Sequence, residues 1–390
     1  MSTNSLTTPR ILIAPDKFKG SLTAAQVADS LAAGLLQDNP LAQVHTLPLA
    51  DGGDGSVAAA LGAGFQALTI PITGPTGDPA TTTVAFDGTA AVVEVATTAG
   101  LQMLPTGRLA PRESSSVGFG QAIRAVLAHR PTRIVLALGG SASTDGGAGM
   151  LSALGAVFSD RAGQAFVPTG ATLGEIAEVE LTGLVDLEGV ELIAANDVQN
   201  PLLGRNGAAA VYGPQKGATP DDVEVLEAGL GCLLRRLWEA GWPAEEAAGV
   251  PGAGAAGGLG WAAMLLGARM VSGAGFFLDL LGFDDHAVGC DLVITGEGKL
   301  DTQTLSGKLP LVVARRANPV PVIAVVGHNA LDTDRLPAHG IEKVYALSAM
   351  TDQDSATDPR LSAALLRQTG QHIARALTPA AHTTHTADAL

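Results

Sequence analysis

The chain has 390 residues, enough for two or three domains with sizeable cores. Its 38 acidic against 23 basic residues leave a net charge of −15, a field that repels phosphate backbones and argues against nucleic-acid and anionic-membrane partners. With 46% apolar and 16% charged residues it is too hydrophobic for intrinsic disorder, and its 49 glycines follow no collagen period.

In chain order, Arg10 to Asp16 is a short apolar run of the buried parallel type, followed by the loop KFKGS. Thr23 with Gln26 forms a capping box for a helix carrying Val27, Leu31 and Leu35. A strand from Gln43 enters the loop ADGGDGS and a helix from Ser56 to Leu61. Thr81 to Phe86 and Ala90 to Val95 flank Asp87-Gly88, a hairpin signal. Helices follow at Val117 to His129 and Ala148 to Phe158, with strands at Arg133 to Leu138 and Val190 to Ala195. Pro220 to Ala240 and Trp261 to Val271 read as helices. Asp291 to Thr295, Val320 to Gly327 and Lys343 to Ser348 read as strands, with helices ending near Ala317 and over Ser362 to Leu377. The grammar predicts an α/β fold: a doubly wound parallel-sheet domain from residues 1–72 and 288–378, an inserted mixed α/β domain over 73–287, and a tail at 379–390.

Polar and charged residues collect where strands end, the place where open α/β sheets bind ligands. Lys17 and Lys19 follow the first strand just before a helix N-terminus, a setting that suits an anion. Asp51 and Asp54 bracket two glycines and suit Mg²⁺ or substrate hydroxyls. Ser141, Ser143, Thr144 and Asp145 lie in a glycine-rich loop that can cradle phosphate or carboxylate. Asn196-Asp197 offers a general base or metal ligand. Gly296, Glu297, Lys299, Asp301 and Lys308 put both signs of charge in one loop, fit for a nucleotide with Mg²⁺.

Other motifs fail their context. GAGAAG at 252–257 follows no strand, no P-loop or protein-kinase set is present, and the eight histidines form no zinc pattern. Cys232 and Cys290 lack metal or CxxC spacing, and the N-terminal apolar run is too short for a signal peptide. Residues 55–77 and 247–268 lack charge but are broken by Gly and Pro, so no spanning helix is expected and the location reads as cytoplasmic.

The segments IAPDKFKGSLTA, LADGGDGS, GGSASTDGGAG, ANDVQNPLLGRNGAA with YGPQKGA, PGAGAAGGLG and DLVITGEGKLDTQTLSGK resemble the type I glycerate kinases in order and spacing from about Ile11 to Leu377. The resemblance implies a Rossmann- or flavodoxin-like domain with an inserted domain, and ATP-dependent phosphorylation of D-glycerate, with 2-phosphoglycerate favoured. On this reading Asp197 or Asp51 aligns the attacking hydroxyl or takes its proton, and Lys17 meets ATP phosphates. Ser141, Ser143, Thr144, Asp145 and Asn196 contact glycerate in a cleft between the domains. Lys19, Gly296, Lys299 and Lys308 serve the nucleotide, and Asp54, Glu297 and Asp301 serve Mg²⁺. A monomer or homodimer is expected. The rival readings are a kinase of another small hydroxy acid and a non-catalytic phosphometabolite-binding protein.

Overall fold

The computed structural model describes residues 8–302, 304 and 308–377; the expected tail at 379–390 lies outside them. In chain order the first elements are β1 (Arg10–Pro15), α1 (Ala24–Asp38), β2 (Gln43–Thr46), α2 (Ser56–Gly62), β3 (Gln66–Thr73), β4 (Pro79–Phe86) and β5 (Ala90–Glu94). Then come α3 (Val117–Leu127), β6 (Arg133–Ala137), α4 (Ala148–Leu154), β7 (Val157–Ser159), β8 (Ala165–Phe166), β9 (Glu178–Glu180) and β10 (Glu191–Ala195). Next are α5 (Ala208–Tyr212), α6 (Pro220–Glu239), α7 (Ala244–Ala248), α8 (Leu259–Leu265), β11 (Arg269–Val271), α9 (Gly273–Leu280) and α10 (Phe283–Ala287). The chain closes with β12 (Leu292–Leu300), α11 (Leu309–Ala317), β13 (Val322–Asn329), β14 (Lys343–Ala346) and α12 (Pro359–Leu377).

This is a mixed α/β chain with parallel sheets, and it divides into two compact units: one from both ends, up to Leu49 and from Gly282, the other from Ala50 to Leu281. In the smaller unit five parallel strands run β14-β13-β12-β1-β2. All of β1 beyond Arg10 is buried, as a strand covered on both faces requires. The capping box on Thr23 starts α1, whose Val27, Leu31 and Leu35 join Ile11, Ile13 and Ile373 in the core.

In the larger unit six strands run β11-β10-β6-β5-β4-β3, with the first four parallel and β4 and β3 antiparallel. A three-stranded antiparallel sheet runs β8-β7-β9. Asp87 closes the β4–β5 turn by accepting from the Thr89 and Ala90 amides at 2.8 and 2.7 Å. Phe119, Leu151, Leu230, Leu233 and Trp261 belong to one buried core.

The structure differs from the sequence reading at several points. The first unit ends at Leu49 instead of residue 72, because β3 pairs along its whole length with β4 and so belongs to the larger sheet; the return boundary is Gly282 instead of 288. The helix expected to Phe158 stops at Leu154, where Gly155 turns at φ 115° against the Gly183 carbonyl and the chain enters β7. The helix expected over Trp261 to Val271 is cut near Gly267 (φ 88°) and its end becomes β11. The strand expected to stop at Thr295 continues to Leu300, because it stays paired with β13 as far as Asn329. Glu297 and Lys299 are therefore strand residues. Among the described residues no helix is long and apolar enough to cross a membrane.

Candidate active site

In the larger unit the loops following β5, β6, β10 and β11 meet the loop Ala50–Gly55. Contact is backbone to backbone. A Cβ on Gly52 would stand 2.7 Å from the Ala195 carbonyl, one on Gly139 2.4 Å from the Gly53 Cα, and one on Gly273 1.9 Å from the Asp51 carbonyl. The Gly139 amide donates to the Gly52 carbonyl at 3.2 Å. Glu94, at the end of β5 and 1% exposed, accepts from the Gly55 and Val57 amides at 3.2 and 3.0 Å, anchoring the loop and the start of α2.

Asp51 and Asp197 are brought together here. Asp197 Oδ1 accepts from Ser272 Oγ at 2.9 Å and the Gly273 amide at 3.0 Å, and Oδ2 from the Ala274 amide at 3.4 Å, which caps α9. Burial raises the Asp197 pKa and the Asp51 charge raises it further, against the lowering effect of those hydrogen bonds. Asn196 Oδ1 accepts from the Val198 amide at 2.8 Å. Asp54 Oδ1 accepts from Gln102 Nε2 at 3.4 Å.

The loop after β6 leads from Ala137 into α4. Ser141, Ser143, Thr144 and Asp145 are all buried, and only Gly139 and Gly140 of the segment reach the surface, so the loop presents backbone. Asp145 is a fastener: it accepts from the Ser116 amide and Oγ at 2.7 Å each, from Gly147 at 3.1 Å and from Gly149 at 3.3 Å. Ser141 Oγ donates to the Ser143 carbonyl at 3.2 Å, which also receives the Nζ of Lys216. Lys216 and Glu94 were not singled out from the sequence. For Glu94 a signal existed, a carboxylate ending a strand; for Lys216 the only sign was its place in YGPQKGA.

The smaller unit carries the other set at the ends of its strands. The Lys17 amide donates to Asp16 Oδ1 at 2.7 Å and its Nζ lies 3.7 Å from the same atom. Thr304 Oγ1 donates to Glu297 at 2.7 Å and accepts from the Asp301 amide at 3.2 Å; Lys299 Nζ lies 3.6 Å from Asp301. The Lys308 amide donates to the Thr304 carbonyl at 3.2 Å. Gly296 is paired with Pro15 across β1 and β12. A cavity of about 260 Å³ opens beside these ends, lined by Phe18, Lys19, His328, Ser348 and Asp354 among others. Of the expected nucleotide residues it takes in Lys19, while Gly296, Lys299 and Lys308 lie outside its lining.

Among the described residues no three His, Cys, Asp or Glu side chains form a metal cage. Mg²⁺ does not need one: it keeps several waters and is held by one or two carboxylates plus substrate phosphates. Thr304 bonds the Glu297 carboxylate and the backbone amide of Asp301, while the Asp301 carboxylate faces Lys299.

A family model described as the glycerate kinase family matches residues 11–378. The chain is 38% identical over 350 residues to the glycerate kinase of Bacillus subtilis (strain 168), covering 87% of this chain and 90% of that one. It is 38% identical over 348 residues to the glycerate 2-kinase of Escherichia coli (strain K12), with the same coverage of 87% and 90%. The crystal structure of the Salmonella typhimurium LT2 protein designated glycerate kinase 2 superimposes with a TM-score of 0.77 at 35% identity, covering 95% of this chain and 98% of that one.

Proposed function

The chain belongs to the glycerate kinase family, and from that premise we propose that it transfers the γ-phosphoryl group of ATP in line to a hydroxyl of D-glycerate, with 2-phosphoglycerate as product. The observation that carries the reading is the Asp51–Asp197 pair, set among backbone-lined loops at the ends of four adjacent strands. A carboxylate whose pKa is raised by burial and a like neighbour is suited to take a hydroxyl proton during transfer. Asp197 is that base, and Asp51 is its partner. The exposed Gly139–Gly140 backbone and Asn196 receive glycerate, and Asp54 offers a further oxygen donor.

The smaller unit carries the candidate nucleotide residues. Its sheet, numbered within the unit, has the order 2-1-3-4-5, which supports a flavodoxin-like doubly wound reading with the larger unit as an insertion. Lys17 and Lys19 follow β1, where such sheets bind phosphates. Glu297 and Asp301 would hold Mg²⁺, whose chemistry here is to neutralise charge on the transferring phosphates. In phosphoryl transfer the protein mainly positions reactants and stabilises charge, which matches two sets of fixed loops.

Phosphorus NMR of the product formed from D-glycerate and Mg-ATP tests activity and position together. A 2-phosphoglycerate resonance is expected; a 3-phosphoglycerate resonance would overturn the regiochemistry, and absence of any phosphoglycerate the whole proposal.

A further inference from the structure

We propose that Lys216 is a positioning residue: its buried ammonium fixes the Gly139–Gly147 loop from below and thereby sets the affinity for glycerate. The inference rests on reading that loop as part of the glycerate site.

Lys216 closes a 3-10 turn (Pro214–Lys216) that ends at Gly217, and the residue is 2% exposed. A lysine is almost never buried to this degree unless it is partnered. Its Nζ donates to the Ser143 carbonyl, while Asp145, two residues on, pins the loop to the starts of α3 and α4. Between these anchors the Thr144 hydroxyl is buried with no hydrogen-bond partner among the described residues, so Thr144 does not hold the segment itself. The loop is gripped by a cation at one residue and an anion at another.

The grip reaches the exposed end. Ser143 shares its carbonyl between Lys216 and Ser141, and the chain from Ser141 runs directly into Gly139 and Gly140, which pack on Gly53 and Ala96 of the neighbouring segments. Loss of the ammonium removes one of the two donors to the Ser143 carbonyl and the positive charge that acts on buried Asp145.

Removal of the proton is within reach of ordinary buffers. Burial pulls the Lys216 pKa down to about 8, against the opposing pull of Asp145. Asp145 is the charged group that faces it; Ala255–Gly258, packed on the loop, and Leu109, packed on Gly217, bring no titratable side chain.

The test is steady-state kinetics of the full chain from pH 6.5 to 9.5, wild type against Lys216→Met, with KM measured separately for D-glycerate and ATP. The wild-type KM for glycerate should rise above pH 8 while that for ATP stays level. In Lys216→Met the glycerate KM should already be raised at pH 7, by roughly 10- to 100-fold, the worth of a hydrogen bond to a charged group, and should show no break near pH 8. Equal rises in both KM values, or a variant with the wild-type KM and pH profile, would overturn the proposal. Amide hydrogen exchange of residues 139–147, compared at matched pH, gives a readout that needs no substrate: faster exchange in the variant supports the positioning role and unchanged exchange refutes it. If the wild type fails to phosphorylate D-glycerate, the functional reading falls while the exchange result still judges Lys216. Should the variant not fold, the wild-type pH profile carries the test alone.

Discussion

Replacing Gly273 by Ala sets two effects against each other, and the structure decides the sign. Gly273 opens α9, where helix propensity alone would favour Ala by up to about 1 kcal/mol. The new Cβ, however, would lie 1.9 Å from the Asp51 carbonyl oxygen, 2.6 Å from its carbon and 3.0 Å from the Gly52 amide nitrogen, all backbone atoms. The first distance falls about 1.5 Å short of ordinary contact, which begins near 3.4 Å. The Asp51 loop has little room to retreat, because Gly52 is itself seated against the Ala195 carbonyl. Overpacking of this kind costs about 1–3 kcal/mol, so the net effect is a loss on the order of 1–2 kcal/mol. All three tryptophans, Trp238, Trp242 and Trp261, lie in the larger unit, so urea unfolding followed by tryptophan fluorescence reports on that unit. The midpoint should drop by roughly half a molar or more. Gly275→Ala is the control: its Cβ would meet only Ser272, at 3.6 and 3.7 Å, so propensity wins there and the midpoint should rise. A Gly273→Ala midpoint at or above the wild-type value would refute the argument.

Asp197→Asn should lower kcat by roughly 10²- to 10⁴-fold with the fold intact, and unchanged turnover would remove Asp197 from the role of base. Because burial and Asp51 raise the Asp197 pKa, wild-type kcat should fall on acidification at a higher pH than an ordinary aspartate would give; the Asn variant should lack that limb of the pH–rate profile. Lys17→Met should raise the KM for ATP by roughly 10- to 100-fold, and an unaltered KM and kcat would make Lys17 an ordinary surface lysine. His45 stacks on His286 at 4.4 Å between ring centroids, and burial, then the His286 charge, lowers its pKa from 6.5. The unfolded chain therefore binds more protons just below pH 6.5, so stability falls as pH drops through 6.5 toward the lowered folded value. Melting followed by circular dichroism should show a shallower acid decline for His45→Gln, and parallel curves would exclude the pair as a source.

What the sequence disclosed were the features whose cause is local. The Thr23–Gln26 capping box and the Asp87-Gly88 turn each involve residues within a few positions, and both are present. Loops at strand ends were legible because the strands feeding them are continuous apolar runs. β3 escaped notice because its edge position leaves alternate residues exposed and Pro71 interrupts its pattern. The helical reading past Leu154 failed because Phe158 continues the apolar spacing, while the stop comes from Gly155 meeting Gly183, which is 28 positions away in the chain. The far half of β12 looked like a charged loop, since only its pairing with β13 makes Glu297 and Lys299 extended. Lys216 and Glu94 owe their importance to burial among distant residues, which no window of sequence displays. The loop after β6 has the composition of a ligand cradle, and the bonds that Ser141 makes within it and Asp145 makes to Ser116 are not visible in that composition.

The origin of the smaller unit in both chain ends sets an order on synthesis. β1 lies between β2 and β12, and the Arg10 amide is bonded to Asp291, 281 residues later. At 5–20 residues per second, β1 emerges roughly 15–60 s before the strand that covers its other edge. The larger unit, which is contiguous, can complete its sheet within that interval. Ile11, Leu12 and Ile13, wholly hidden in the finished protein, must meanwhile avoid pairing with strands of the larger unit or of neighbouring nascent chains.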